Sequence, residues 1–285
     1  MQQITVRVPA STSNLGPGFD CLGVALRIYN DITVTKDAKS GSTTIAQKAA
    51  DLFCEHTGHA PLPFSVSTKG DVPASRGLGG SATVRLGVLL ALNAWTGNHL
   101  DRLSIFQLCA RLEGHPDNAA PSTFGGFTVV RGQSVQRFGV SARLSFVLLI
   151  PDFKIRTVQA RRILPSQIRH GAAVKSCANA CAITAAFASA NYGVLRGAFA
   201  DSLHQPYRQK LIPCFPHVIA AAEEAGALGA FLSGSGSTIC AVTLRSPEKI
   251  GTAMKRLANS TPARVIITRA DNRGARLIRS PITDH

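Results

Sequence analysis

Three short loops built from Gly, Ser and Asn constrain this chain more than any other feature: 11–19 (STSNLGPGF), 73–83 (PASRGLGGSAT) and 233–237 (SGSGS). The middle loop is the sharpest signal. Gly77, Gly79 and Gly80 let the backbone enter conformations closed to other residues and approach a ligand closely. The loop runs directly into VRLGVLLALNAW, an apolar helix ending near Gly97. Successive N–H groups of such a loop point into one concavity, and the helix start adds its free N–H groups and positive dipole end. A polyphosphate fits that arrangement. The expected cradle comprises Pro73, Ala74, Ser75, Arg76, Gly77, Leu78, Gly79, Gly80, Ser81, Ala82 and Thr83. The Ser81 and Thr83 hydroxyls are available to a phosphate oxygen or a metal ion, and Ser81 is the metal candidate. The loop lacks the Lys of a Walker A motif and the leading strand of a Rossmann unit. One glycine-rich loop before a helix is also what a plain turn looks like; three in one chain are hard to explain as turns alone.

The rest of the chain is ordinary for a globular protein. Of 285 residues, 45% are apolar and 16% charged, enough to build a core and too few charges for disorder. No run approaches the ~18 uncharged apolar residues of a membrane span, and MQQITVRVPAS lacks the regions of a signal peptide. A cytoplasmic location is expected. The seven cysteines are scattered and odd in number, without zinc-ligand spacing, and read as reduced thiols in apolar surroundings. The net charge of +15 is spread along the chain, densest over 154–169 and 264–279. Neither stretch carries interleaved aromatics, so a solvated basic surface is expected before an anion site, and nucleic acid is not an expected partner.

Alternation predicts strands over 4–8, 29–35 and 64–68, with a loop from Pro9 to Asp20 between the first two. Helices are expected over 42–56, 103–113, 172–190 and 216–225, and strands over 127–131, 144–150 and 264–268. A strand pair flanks the third loop. Ser246-Pro247-Glu248 starts a helix, with Ser as N-cap and Pro in the first turn. The mixture lacks regular βαβ alternation and reads as α+β in two lobes, 1–150 and 151–285, divided at Pro151.

Taken with VRVPASTSNLGPGFDCLGVAL (6–26), EGHPDNAAPSTFGGF (113–127), TVQARRILP (157–165), YRQKLIP (207–213) and GAFLSGSGSTICAV (229–242), the phosphate-loop motif resembles the GHMP kinases, in the form of their homoserine-phosphorylating branch. The resemblance covers most of the chain in the right order. It implies a nucleotide-binding N-terminal lobe of ribosomal-protein type and a ferredoxin-like C-terminal lobe, with ATP between them and Mg2+ as cofactor. The implied activity is ATP-dependent phosphorylation of L-homoserine to O-phospho-L-homoserine, in threonine biosynthesis. The alternatives are another GHMP activity, on mevalonate, shikimate or a sugar, and a non-catalytic ligand-sensing member.

The resemblance also assigns residues. Asn14 and Asp20 fall where the substrate's polar groups are held, together with His115, Asn118, Gly234 and Ser235. Thr157 falls near the phosphoryl-transfer centre. Arg161 and Arg208 fall at the substrate carboxylate. Asp20 and Asp117 are the candidate bases, with the phosphate itself as the third choice. Arg111 stands where many relatives carry a magnesium-binding Glu. Glu113 lies two residues on, about 200° around a helix axis, and is not expected to replace it. The segment after Asp37, where relatives build part of the nucleoside pocket, looks short. The expected partner is the small-molecule substrate, without a membrane; the sequence is compatible with a homodimer.

Overall fold

The computed structural model describes residues 3–36, 42–258 and 262–278. The segment after Asp37 lies outside them. In chain order the first part holds β1 (Gln3–Ser13), β2 (Leu22–Lys36), α1 (Thr44–Thr57), β3 (Phe64–Gly70), α2 (Gly80–Trp95), α3 (Arg102–Glu113), α4 (Ala119–Phe124), β4 (Phe127–Arg131) and β5 (Ser134–Phe138). The second holds β6 (Ser145–Pro151), α5 (Thr157–Arg162), α6 (His170–Ala188), α7 (Gln205–Arg208), α8 (Phe215–Glu224), β7 (Gly229–Leu232), β8 (Ile239–Thr243), α9 (Pro247–Leu257), β9 (Ala263–Arg269) and β10 (Arg276–Ile278).

One sheet has the order β10-β1-β2-β4-β5, with β3 also on β2; the other has the order β7-β8-β6-β9. The second is an antiparallel ferredoxin-like arrangement, and the α+β expectation holds. By sheet membership the chain divides between Phe138 and Ser145, ahead of Pro151, because β6 pairs with β8 and β9. β10 returns to the first sheet, where it pairs with β1.

The sheets bury three apolar layers. Val6, Val8, Ile32 and Val34 face Phe53 of α1 and Leu86 and Leu89 of α2. Val147, Leu149 and Ile239 face Val218 of α8 and Ile250 of α9. Between the sheets lie Val24, Leu26 and Phe127 from one side and Phe146, Leu148 and Val242 from the other. β6 is therefore buried along its whole length, which is why 146–150 reads as a continuous apolar run.

Several local expectations change. The strand β1 runs on through Ser11, Thr12 and Ser13, so the first loop is shorter than 9–20. Ser246 starts α9 with φ 48° and no side-chain cap. Cys177 and Cys181 are exposed on α6 rather than in the core. By length and composition, α6 also passes the test for a membrane span (19 residues, mean hydropathy 1.2). Its Ile183, Ala186 and Phe187 pack into the layer between the sheets.

Candidate active site

The end of β1 carries three buried polar side chains, and each is spent on a neighbouring loop. Ser11 donates to Asn118 Oδ1 (2.9 Å), Thr12 donates to Ser233 Oγ (2.9 Å), and Ser13 accepts from Asn118 Nδ2 (3.0 Å). Backbone bonds complete the junction: Ser11 N–H to Leu78 O (3.2 Å), Gly234 N–H to Ser13 O (3.1 Å) and Thr238 N–H to Arg76 O (3.2 Å). At Gly77 a Cβ would sit 2.1 Å from the Ser233 carbonyl oxygen, so only glycine permits this approach. The three glycine-rich loops and the 114–118 turn thus form one hydrogen-bonded unit around a cleft of about 280 Å3.

At one wall, Gly79 (φ 69°) opens α2 without a side-chain cap, leaving the first N–H groups of a 16-residue helix for a ligand. Ser81 Oγ donates to Glu113 Oε2 at 2.9 Å. Arg85, one turn further along α2, pairs with the other Glu113 oxygen. Ala74, Ser75, Arg76, Gly77, Gly79, Gly80 and Ser81 line the cleft, while Pro73 borders an adjoining cavity. Leu78, Ala82 and Thr83 do not face it. Leu78 and Ala82 are core residues, and the buried Thr83 hydroxyl accepts from Asn30 (2.9 Å) and donates to Gly80 O (2.8 Å).

Arg111 is not part of this wall. It is exposed and lies 3.7 Å from Glu55. On α3, Glu113 shares a face with Cys109, which packs against Ala82 of α2. The carboxylate that faces Ser81 is therefore Glu113, against the expectation from sequence. A hydroxyl and a carboxylate are the hard oxygen donors Mg2+ accepts when nucleotide oxygens complete its shell. Among the described residues no cluster of three or more His, Cys, Asp or Glu side chains forms a cage independent of nucleotide.

A second set of charged groups lines the same cleft. Arg161 binds Asp20 through two hydrogen bonds (3.0 and 2.6 Å), which raise the Arg161 pKa. Asn14 accepts from the Asp20 N–H (3.0 Å) and donates to Gly234 O (3.0 Å). Arg161 and Arg208 both lie over the Phe19 ring, at 5.3 and 5.1 Å from its centroid. Arg208 is 2% exposed and donates to the carbonyls of Ala160 (3.1 Å) and Gly234 (3.0 Å). Burial first, then the charge of Arg161, push its pKa down to about 10, which leaves it cationic at neutral pH. Thr157 begins α5, and with Gly234 and Ser235 it lines the cleft.

His115 Nδ1 lies 2.9 Å from Asp117 Oδ1. Burial pulls the Asp117 carboxyl up, but the hydrogen bond and charge of His115, a hydrogen bond from Ser13 and the charge of Arg161 outweigh it and hold it below its usual range. Burial pulls His115 down, and its contact with Asp117 more than compensates, so its pKa rises. The two candidate bases are thus already engaged, Asp20 by Arg161 and Asp117 by His115.

Every expected substrate-side residue reaches this cleft. Sequence reasoning set Glu113 aside and did not single out Arg85, Phe19 or His204. For Glu113 a signal existed: its four-residue spacing from Cys109 on the buried face of α3.

Two family models match the chain, the GHMP kinases N terminal domain over residues 44–126 and the GHMP kinases C terminal over 185–260. A homoserine kinase of Caldicellulosiruptor bescii is 37% identical over 294 aligned positions, covering 95% of this chain and 96% of that protein. The chain belongs to the GHMP kinase family. A Synechocystis homoserine kinase is also 37% identical, over 90% of this chain and 91% of its own length. The crystal structure of homoserine kinase from Cytophaga hutchinsonii superposes with a TM-score of 0.89 at 27% identity, covering 98% of both chains. A mevalonate kinase crystal structure shares the GHMP kinase fold, with a TM-score of 0.69 at 14% identity. In this GHMP kinase the N-terminal match spans α1 to α4 and so includes the 73–83 loop, Ser81 and Glu113.

Proposed function

We propose that this GHMP kinase transfers the γ-phosphoryl group of ATP to the side-chain hydroxyl of L-homoserine, giving O-phospho-L-homoserine for threonine biosynthesis. The observation that carries the reading is the convergence of Arg161, Arg208 and Asp20 around Phe19. A zwitterionic hydroxy acid needs cations for its carboxylate and an anion for its ammonium. Arg161 and Arg208 supply the first, and Asp20 with Asn14 the second. Mevalonate and shikimate carry a carboxylate without an ammonium, and a sugar carries neither.

The phosphates rest on the N–H groups of 77–81 and the start of α2, where the helix dipole favours negative charge. Bound by Ser81, Glu113 and nucleotide oxygens, Mg2+ would offset further phosphate charge. Phosphoryl transfer asks little covalent chemistry of the protein, so positioning and charge stabilisation carry the rate. Thr157 presents a hydroxyl to the transfer centre. With Asp20 and Asp117 engaged elsewhere, the acceptor's proton passes to a phosphoryl oxygen. Arg111 in place of a metal-binding Glu would favour a non-catalytic member; the Glu113 carboxylate beside Ser81 supports the catalytic reading instead.

A coupled assay of ADP release with ATP, Mg2+ and parallel homoserine, mevalonate, shikimate and galactose tests the reading. Homoserine is expected to give the highest kcat/KM. Preference for another acceptor would reassign the substrate, and no turnover with any of them would favour the sensing alternative.

A further inference from the structure

We infer that His204 is a positioning residue that aims the Arg208 guanidinium and ties it to the first loop; this rests on the reading of Arg208 as the carboxylate ligand. The His204 side chain is fully buried, and both ring nitrogens are used. Nε2 lies 2.8 Å from the Gly16 carbonyl oxygen, which can only accept, so Nε2 carries hydrogen. Nδ1 lies 3.3 Å from Arg208 Nη1, which can only donate, so Nδ1 is bare. The two partners select one state of the ring, the neutral Nε2–H tautomer. Burial and the charge of Arg208 push the His204 pKa below its ordinary value, against the pull of Asp201 and Asp117.

The neutral state has a consequence for Arg208. Among the described residues Arg208 forms no salt bridge, although it is almost wholly buried. Asp201 makes no contact with Arg208: its Oδ1 accepts from the N–H groups of Leu203 (2.6 Å) and His204 (2.7 Å) just before α7, and its Oδ2 lies 3.7 Å from His204 Nε2, which favours hydrogen on that nitrogen. Arg208 is held by two carbonyls and one imidazole lone pair, all uncharged. A carboxylate in place of His204 would orient the guanidinium equally well but neutralise it. A neutral acceptor orients it and leaves its charge for an incoming anion.

His204 also links two loops. It stacks on Phe19 at 5.2 Å with 30° between the ring planes, the same ring that Arg161 and Arg208 lie over. Gly16 is itself pinned, since a Cβ there would lie 2.2 Å from the Phe199 carbonyl oxygen. The series Gly16 carbonyl, His204, Arg208, Gly234 carbonyl therefore crosses from the first glycine-rich loop to the third.

The test is steady-state kinetics of His204→Asn, His204→Gln and His204→Leu, each alone and with Arg208→Ala, varying homoserine and ATP separately. Counted in bonds from Cβ, the Asn amide replaces Nδ1 and the Gln amide replaces Nε2. Asn therefore restores the acceptor for Arg208, and Gln restores only the donor to Gly16. Loss of a hydrogen bond to a charged group predicts a rise in homoserine KM of about tenfold or more for Gln and Leu, with kcat and ATP KM nearly unchanged. Asn should recover most of the loss, and His204→Leu should add little in the Arg208→Ala background. Equal losses for Asn, Gln and Leu, or a Leu effect that persists without Arg208, would overturn the inference. If Arg208→Ala itself leaves homoserine KM unchanged, the carboxylate reading fails first and takes this role with it. If Arg208→Ala raises KM but His204→Leu does not, only the positioning role is lost.

Discussion

Ser81 donates its hydroxyl to the Glu113 carboxylate across 2.9 Å, so the first turn of α2 and the last residue of α3 meet at one point of the cleft. If this pair carries the metal, Glu113→Gln should raise the half-saturating Mg2+ concentration about tenfold or more. Arg111→Ala, which loses only an exposed contact to Glu55, should leave it unchanged. Magnesium titration of the rate at fixed ATP, together with Mn2+ binding followed by electron paramagnetic resonance, checks both. The opposite pattern would return the role to the neighbourhood of Arg111.

Gly79 can be tested by adding a side chain. It has φ 69°, and a Cβ would lie 2.5 Å from Ser11 Oγ and 3.1 Å from Asn118 Oδ1. Gly79→Val should lower ATP affinity by at least about an order of magnitude, and left-handed backbone strain should cost about 1–2 kcal/mol of stability. Calorimetric titration with ATP and a thermal melt separate the two effects. Wild-type affinity in the folded variant would remove the loop from the phosphate site.

What was legible in the sequence is the part written locally. The glycines of the cleft lie together at 77–80 and 234–236, where Gly77 must approach the Ser233 carbonyl, and the strongly apolar strands and long helices announce themselves by period. What was not legible depends on distant partners. Ser11, Thr12 and Ser13 look like loop residues because a strand buried at their hydroxyls breaks the apolar alternation. β10 has three residues and exists by pairing with β1. α5 has six residues and a single buried one, Ala160, so no apolar stripe marks it. Phe19 and His204 look like packing residues until the arginines beside them are located. Glu113 was misread because its spacing from Arg111 was weighed without asking which face of α3 meets α2.

A stability test addresses the returning C-terminal segment. Asp271 Oδ1 accepts from the N–H groups of Arg273 (2.7 Å) and Gly274 (2.8 Å), and Oδ2 accepts from the Tyr29 hydroxyl (2.8 Å). Burial pushes the Asp271 carboxyl up, but these bonds and the charge of Arg276 hold it below its ordinary value. A depressed carboxyl contributes stability above its unfolded pKa, near 3.8, and loses it as pH falls through the lower folded value. Asp271→Asn should cost about 1.5–3 kcal/mol at neutral pH. The difference from wild type should stay constant down to about pH 5 and shrink below about pH 4. Urea melts across that range check it; a difference that grows on acidification would contradict the assignment.

The central claim is that Arg208 and Arg161 hold the substrate's carboxylate, and steady-state kinetics of Arg161→Ala and Arg208→Ala test it most directly. Truncating one partner of a desolvated charge pair should cost about 2–5 kcal/mol in kcat/KM for homoserine. That is roughly thirty-fold to several thousand-fold. The constants for ATP should change little, and Arg208→Lys should not restore the loss, because an ammonium cannot reproduce the guanidinium fork. Homoserine lactone, which has no free carboxylate, should bind wild type poorly and Arg208→Ala no worse. Normal homoserine kinetics in both alanine variants would contradict the account.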